Sequence, residues 1–226
     1  MVTARAQLAA AVTPAAAPLV SSMPAAPDPR QAAVLMLFGP LDRVPSERPA
    51  RAAEVSRDLD VLLLSRASTL RSHAGEVAFP GGRVDPGDAD VVAAALREAR
   101  EETGLDVTGV DVLGSAAPVP LAHSRHLVTP VLGWWRTPSP IRVVDEAESA
   151  AVFRTPVADL LDPENRGTTV FRRAGRTWRG PAFTVLADSG SYVVWGFTAT
   201  LLDGLFDRVG WTEPWDHERI VAIPGQ

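Results

Sequence analysis

The chain has 226 residues, 46% of them apolar, which is enough for one sizeable domain with a real core. Its formal net charge is −5 and its acids and bases are mixed, so broad electrostatic binding to nucleic acid or to an anionic membrane surface is not expected. No apolar run approaches the length of a membrane span, and the absence of cysteine excludes disulfides, thiolate nucleophiles and thiolate metal ligands.

The first 28 residues are rich in alanine and proline. Pro14 and Pro18 interrupt the apolar run that a signal peptide would need, and Arg5 is the one arginine of this segment. We therefore predict a flexible, loose or partly helical extension over residues 1–28 of a cytoplasmic protein, followed by a single domain over residues 29–226.

The predicted elements begin with two buried strands, at 32–38 and 59–67, each a short apolar run. A turn-rich segment with several glycines and prolines follows. A helix then begins near Asp88 or Asp90, either of which can cap its N-terminus, and it ends at Gly104. One apolar stripe along this helix is formed by Val92, Ala95, Leu96 and Ala99.

Strands dominate the rest of the chain. Three strand-like runs are predicted at 110–116, 126–135 and 149–155, and a short helix follows at 156–162. Three short antiparallel strands are then predicted at 167–173, 176–180 and 182–187, before a final amphipathic helix at 193–209. Because the helices do not alternate with the strands, we predict an α+β class with a mixed β-sheet rather than a doubly wound parallel fold. Four aromatic residues are expected to pack in the core: Trp134, Trp135, Trp195 and Phe197.

Three carboxylates near the end of the first long helix form the most informative motif. In REAREETGL, which begins at Arg97, residues Glu98, Glu101 and Glu102 are spaced i, i+3 and i+4 and share one helix face. No lysine in the segment relieves their repulsion, whereas a divalent cation would, and carboxylate oxygens favour Mg²⁺ or Mn²⁺. The alternative is a solvated face with helix-stabilising ion pairs.

A glycine-rich turn, FPGG at residues 79–82, lies just upstream and can place backbone carbonyls near such a cation. Glycine there would be required by a positive φ and by close approach to the metal. This combination is typical of metal-dependent phosphoryl or pyrophosphoryl chemistry, in which the metals neutralise diphosphate oxygens and activate a water molecule. A carboxylate inside or outside the ligand set can take the proton of that water.

Residues 81–105, GGRVDPGDADVVAAALREAREETGL, resemble the Nudix box, the signature of hydrolases that cleave nucleoside diphosphates linked to another moiety. The resemblance implies the Nudix fold, an α/β/α sandwich. The first half departs from the pattern, because Asp88 replaces a glutamate and is one residue farther from Arg97 than usual. In the family this acid pairs with the box arginine, for which Asp85 is a second candidate. The second half matches at every defined position: Arg97, Glu98, Ala99, Glu101, Glu102, Gly104 and Leu105.

Residues 62–82, LLLSRASTLRSHAGEVAFPGG, look like the additional signature of the coenzyme A (CoA) pyrophosphatase subgroup. Glu76 replaces the usual glutamine and adds negative charge, whereas a longer box with an aspartate is itself typical of this subgroup. The resemblance covers roughly residues 29–209. The matching signature residues are Arg66, Ala67, Leu70, Arg71, His73, Gly75, Phe79, Pro80, Gly81 and Gly82.

The resemblance implies a set of metal ligands. Glu98, Glu101 and Glu102 would bind Mg²⁺ or Mn²⁺ together with the Gly82 carbonyl, and either Glu101 or Glu102 could instead orient or deprotonate the water. Glu148 stands where many relatives carry an acid outside the box. It is a candidate base or metal ligand, or else a surface charge at a strand edge.

The resemblance also implies a set of substrate contacts. Arg66 and Arg71 would bind phosphates through their planar guanidinium groups, since CoA carries a 3′-phosphate besides its diphosphate; ordinary surface ion pairs are the alternative. His73 would donate to a phosphate or to a loop carbonyl. Gly81 and Gly82 would shape the backbone around metal and substrate.

The implied function is hydrolysis of the diphosphate of CoA or acyl-CoA, giving 3′,5′-ADP and 4′-phosphopantetheine or its acyl form. Water would attack one phosphorus without a covalent enzyme intermediate. One alternative is another small-molecule nucleotide substrate, such as ADP-ribose, NADH or a dinucleoside polyphosphate. A second is a non-catalytic nucleotide-binding regulator, against which the intact glutamate set argues. The sequence leaves a homodimer open.

Overall fold

The computed structural model describes residues 3–13, 16–20, 26–40, 45–67, 75–121, 124–173, 176–187 and 189–223. Within these ranges the α-helices are α1 (Ala4–Ala11), α2 (Val91–Thr103), α3 (Val157–Leu161) and α4 (Gly196–Val209). No helix in these ranges is long and apolar enough to cross a membrane. The strands are β1 (Arg30–Pro40), β2 (Leu59–Arg66), β3 (Val77–Ala78), β4 (Gly81–Arg83), β5 (Val110–Ser115), β6 (Val119–Leu121), β7 (His126–Trp135), β8 (Ser149–Pro156), β9 (Arg166–Arg173), β10 (Arg176–Ala187) and β11 (Gly190–Val194).

The strand β1 lies at the centre of an eight-stranded mixed sheet. It pairs in parallel with β7 and antiparallel with β2 and β4, and the main path through the sheet is β3-β2-β1-β7-β5. β8 adds to β2, and β6 adds to β7. A second sheet is antiparallel, with the order β11-β10-β9. The predicted α+β class with a mixed sheet is therefore confirmed.

Apolar residues of β1 alternate between two hydrophobic clusters, one on each face of the sheet. Ala33, Leu35 and Leu37 pack with the apolar residues of α2, whereas Met36 and Phe38 pack with those of α3, α4 and the second sheet. All five side chains are completely buried. The sheet thus lies between α2 on one face and α4 on the other, in the predicted α/β/α arrangement.

The helix α2 forms where the sequence predicts it. Asp90 Oδ1 accepts a hydrogen bond from the Ala93 N–H at 2.8 Å, and Gly104, with a φ of 69°, ends the helix in the left-handed conformation. Val92 and Leu96 of the predicted stripe are only partly buried. The short side chains of the buried face let α2 pack closely on β1 and β4, and its members are Ala94, Ala95, Ala99 and Thr103.

Some predicted boundaries differ from the structure. The two strands predicted at 176–180 and 182–187 are one strand, β10. Since β11 pairs only with Phe183–Ala187, Pro181 has a neighbouring strand on one side only, where proline is tolerated. The helix predicted at 193–209 begins at Gly196, because the two residues at 193 and 194 end β11. The predictions gave no bounds for α1 within the partly helical extension, and they missed β11 and the very short strands β3, β4 and β6.

Part of the N-terminal segment packs on the body of the domain. Leu8 of α1 is completely buried, and the Trp211 indole Nε1 donates to Gln7 Oε1 at 2.6 Å. Arg208, in the last turn of α4, donates to the Pro18 carbonyl oxygen at 2.6 Å. These contacts join the N-terminal segment to α4, while the division of the chain at residue 28 stays a prediction.

We predict that Leu8→Ala lowers the free energy of unfolding by about 2–4 kcal/mol, because it empties a fully buried position. Leu186→Ala is the matched control: Leu186 is 76% exposed, and its loss should change stability by less than about 0.5 kcal/mol. Urea denaturation followed by circular dichroism measures both values. Equal effects of the two substitutions would show that the docking of α1 does not stabilise the fold.

Candidate active site

Two glycines of β4 lie tightly between β1 and α2. Gly81 and Gly82 pair with Val34 and Ala33 of β1. A Cβ atom at Gly81 would collide with the Ala33 carbonyl oxygen, and one at Gly82 would collide with the Glu98 carboxyl group. Neither glycine has a positive φ. The expectation of a positive φ was therefore wrong. Packing against the β1 backbone requires glycine at position 81, whereas a side chain at position 82 would displace the Glu98 carboxyl group.

Arg97 holds several of the acidic side chains together. Its Nη1 donates to Glu98 Oε1 at 3.0 Å and to Glu101 Oε2 at 3.1 Å. Its Nε and Nη2 donate to the two carboxylate oxygens of Asp88 at 3.0 and 2.9 Å, whereas Asp85 lies farther away, at 3.8 Å. The predicted pairing of Arg97 with a loop acid is confirmed. The hydrogen bonds from Arg97 hold the pKa of Asp88 below its usual range.

Glu98 and Glu101 differ in exposure although both bind Arg97. The Glu98 side chain is 19% exposed and faces Gly82, whereas that of Glu101 is 52% exposed. Burial raises the pKa of Glu98, and the hydrogen bond and charge of Arg97 oppose that rise. Both carboxylates therefore converge on one positively charged nitrogen at the surface of α2.

Glu102 is held against the backbone of β4. Its Oε2 accepts a hydrogen bond from the Gly81 N–H at 2.8 Å. Burial is the main cause that raises the Glu102 pKa to about 7. The negative charges of Glu98 and Glu148 act in the same direction, while the Gly81 hydrogen bond and the charge of Arg66 oppose it. Glu102 therefore lies within electrostatic reach of Glu98, Glu148 and Arg66.

Arg66 and Glu148 reach Glu102 through the pairing of β2 with β8. The last residue of β2, Arg66, pairs with Ser149 after a shift in register, and the Ala67 N–H donates to the Glu148 carbonyl oxygen at 2.9 Å. The Glu148 side chain is exposed. The Arg66 Nε is buried and has no hydrogen-bond partner among the described residues. Long-range strand pairing brings these two residues together, so no local sequence pattern could have shown it.

Two of the expected substrate residues, Arg71 and His73, lie outside the described residues. The described chain resumes at Gly75, whose N–H donates to the Arg66 carbonyl oxygen at 3.2 Å. The Arg66 N–H in turn donates to the Glu76 carbonyl oxygen at 2.9 Å. Gly75 and Glu76 are thus fixed beside Arg66.

The donor atoms of α2 and β4 suit a hard divalent cation. They are carboxylate oxygens beside the backbone of Gly82, and two of the carboxylates already share a cationic partner. In the part of the chain that the structure describes, no three acidic or histidine side chains form a ready-made metal site. Instead, the carboxylates are turned toward Arg97 and Gly81. Glutamates three and four residues apart on one helix face can converge through side-chain rotation, so the residues fit such an ion.

Comparison with known proteins identifies the family. A model of the NUDIX domain matches residues 47–175. The chain is 41% identical over 153 residues to the uncharacterized Nudix hydrolase NudL of Cronobacter sakazakii, covering 66% of this chain and 75% of that protein. The chain belongs to the Nudix family. It is a Nudix hydrolase, an enzyme that acts on pyrophosphate bonds in nucleoside diphosphate derivatives, and such enzymes generally use divalent metal ions.

One further relative and one solved structure are similar to the chain over different lengths. NudL of Shigella flexneri is 40% identical to this Nudix chain over 155 residues, covering 67% of the chain and 76% of that protein. The crystal structure of a MutT/nudix family protein from Enterococcus faecalis is 18% identical, with a TM-score of 0.46, and the match covers 84% of this chain and 65% of that chain.

We predict that Gly82→Ala in this Nudix hydrolase lowers both Mn²⁺ affinity and kcat/KM by about tenfold or more, because the added methyl group displaces the Glu98 carboxylate. The fold should survive, since the displaced group is the end of a flexible side chain. Gly87→Ala is the matched control, because a Cβ atom there would meet nothing within 4 Å. Calorimetry with Mn²⁺ and initial-rate assays test this, and wild-type Mn²⁺ affinity in Gly82→Ala would contradict it.

Glu102→Gln should stabilise the metal-free protein at pH 8. A pKa of about 7 means that the folded state holds this proton more tightly than the unfolded state does. The free energy of unfolding therefore falls as pH rises from about 4.5 through 7, and the glutamine variant escapes that loss. We expect a gain on the order of 2 kcal/mol at pH 8 and a smaller one at pH 5.

Urea denaturation in the presence of a chelator measures this difference. Glu101→Gln is the control, because that side chain is about half exposed and should give no comparable gain. If the two variants were equally stable at pH 8, burial of the ionised Glu102 carboxylate would not destabilise the folded state.

Proposed function

We propose that this Nudix hydrolase cleaves the diphosphate of CoA or acyl-CoA with Mg²⁺ or Mn²⁺ as cofactor. The products are 3′,5′-ADP and 4′-phosphopantetheine or its acyl form. The observation that carries the proposal is the position of Arg66, a residue of the CoA pyrophosphatase-like signature, within electrostatic reach of Glu102.

The local structure around Arg66 supports a phosphate contact. Its Nε is buried and has no hydrogen-bond partner among the described residues, and a buried guanidinium donor without an acceptor is costly. A phosphate oxygen would satisfy that donor. The backbone hydrogen bonds to Gly75 and Glu76 hold Arg66 in position for this contact.

The carboxylates of α2 have the role of holding the ion. Glu98, Glu101 and Glu102, with the Gly82 carbonyl oxygen, are the proposed ligands. Bound Mg²⁺ or Mn²⁺ supplies positive charge that neutralises the diphosphate oxygens and acidifies a water molecule. Arg97 positions the Glu98 and Glu101 side chains by donating a hydrogen bond to each of them.

One carboxylate must accept the proton of the attacking water. Glu148 is a candidate because its side chain is exposed and its charge acts on Glu102; Glu101 and Glu102 are the alternatives. The oxygen of the water forms a bond to one phosphorus as the bridging P–O bond breaks, and the electron pair of that bond leaves with the departing phosphate. The chain has no cysteine that could form a covalent intermediate instead.

A substrate panel tests the proposal. CoA, ADP-ribose, NADH and a diadenosine polyphosphate are assayed with Mg²⁺ and with Mn²⁺, and we expect kcat/KM for CoA to exceed the others by about tenfold or more. Strong hydrolysis of ADP-ribose beside weak hydrolysis of CoA would overturn the choice of substrate, while leaving the Nudix chemistry intact.

Glu76→Gln sharpens the same test. Glu76 adds a negative charge next to the Arg66 backbone, so its removal should raise kcat/KM for CoA severalfold through a lower KM. Glu218→Gln is the control, because this carboxylate is exposed and ion-paired with Arg179 of β10. An unchanged KM in Glu76→Gln would mean that this carboxylate does not face the substrate.

A further inference from the structure

Two arginines and a histidine lie at one end of the main sheet, next to the glycines of the candidate site. Arg30 begins β1 and pairs with His126 of β7, while Ala32 of β1 pairs with Arg83 of β4. Residues that pair across strands share a face of the sheet, as do residues two apart along one strand. Arg30, Arg83 and His126 therefore lie on the same face, and we call them the cationic patch.

The cationic patch has no neutralising partner in the described part of the chain. Arg30 and Arg83 are exposed, His126 is half-buried, and no described carboxylate lies within 4.0 Å of either arginine. Asp28 and Asp85 are the acids nearest in sequence to Arg30 and Arg83. Asp85 lies beside Arg97, with 3.8 Å between its Oδ2 and the Arg97 Nη2. In a chain with a net charge of −5, such a patch attracts anions locally.

The strand pairing places the three side chains within reach of one another. Arg30 lies directly opposite His126 and diagonal to Arg83, at Cβ separations of roughly 5–8 Å, so these long side chains can contact a single anion together. The pKa of His126 is lowered first by burial and then by the positive charges of Arg83 and Arg30. A bound anion would relieve the repulsion, as a divalent cation would for the carboxylates of α2.

The position of Arg83 connects the cationic patch to the candidate active site. Arg83 directly follows Gly82, and its carbonyl oxygen accepts a hydrogen bond from Arg97 Nη2 at 2.9 Å. Because successive residues of a strand point to opposite faces, Gly82 faces Glu98 while Arg83 faces away from α2. Adjacent Cα atoms are about 3.8 Å apart, and the Arg83 side chain extends away from the face that Gly82 presents to Glu98, so the guanidinium group and the carboxylates are separated by roughly 10 Å. That distance is too long for one phosphate but suits another phosphate of the same molecule.

We infer that Arg30, Arg83 and His126 bind a phosphate monoester that the substrate carries in addition to its diphosphate. A monoester has close to two negative charges at neutral pH and three acceptor oxygens, which suits two guanidinium groups and an imidazole donor. This inference rests on the proposed function, since in CoA the additional monoester is the 3′-phosphate. The cationic patch then determines specificity for substrates that carry that group.

Kinetics with CoA and dephospho-CoA, which lacks the 3′-phosphate, test the inference. Arg83→Ala should lower kcat/KM for CoA by about tenfold or more, mainly through KM, and change the value for dephospho-CoA by less than about twofold. Arg30→Ala should act in the same direction, so the test does not depend on one variant. Arg179→Ala is the control, because Arg179 is exposed on β10 and paired with Glu218. Equal losses on both substrates would overturn the inference.

A binding measurement separates this inference from the proposed function. Calorimetry on catalytically impaired Glu102→Gln protein compares 3′,5′-ADP with 5′-AMP, and tighter binding of 3′,5′-ADP that Arg83→Ala removes is the expected result. If wild-type protein failed to hydrolyse CoA but showed this difference, the proposed substrate would be wrong and the cationic patch would stand. Equal affinity for the two nucleotides would contradict the role of the cationic patch as a phosphate-binding site, even if the protein is an active CoA hydrolase.

Discussion

The close contact between α2 and β4 is the constraint on which the rest of the site depends. Gly81 donates its N–H to Glu102, and Gly82 lies directly against the Glu98 carboxyl group. Any side chain at Gly81 would strike β1, and any side chain at Gly82 would strike α2. The small residues on the buried face of α2 make the approach possible from the other side. Two glutamates are thereby held against backbone instead of extending into water.

This contact places two carboxylates where their ionised forms are unfavourable, and the other groups of the protein offset that effect only in part. Burial raises the pKa of both Glu98 and Glu102, so the ionised forms are disfavoured in the metal-free fold. Arg97 offsets the repulsion on one side by bridging Glu98, Glu101 and Asp88. Sites that are ready for function often cost stability in this way, and a ligand that neutralises them stabilises the folded state.

The parts of the fold that depend on local pattern could be predicted from sequence. The helix α2 has a cap, a 3.6-residue apolar period and a terminal glycine, and the long strands are continuous apolar runs. The carboxylate face follows from the spacing of Glu98, Glu101 and Glu102 on that helix. The pairing of Arg97 with Asp88 followed from the family resemblance, and the structure contains it.

Other parts could not be predicted, for identifiable physical reasons. The strand β4 is three residues long and begins with two glycines, so its sequence is typical of a turn, and only pairing with β1 makes it a strand. The bounds of α1 within the partly helical extension could not be predicted, because this helix is rich in alanine, which gives little apolar periodicity, and Leu8 is its one leucine. The approach of Arg66 and Glu148 to Glu102 depends on the register between β2 and β8, which no local pattern encodes.

The most direct test of the central claim is the anomalous scattering of Mn²⁺ in crystals of the wild-type protein grown with that ion. We predict a strong Mn²⁺ peak bounded by the carboxylates of α2 and by the Gly82 carbonyl oxygen, with the Glu98 side chain turned from Arg97 toward the ion. A crystal of active protein in which Mn²⁺ occupies another site, while Glu98, Glu101 and Glu102 keep their contacts with Arg97 and Gly81, would contradict it.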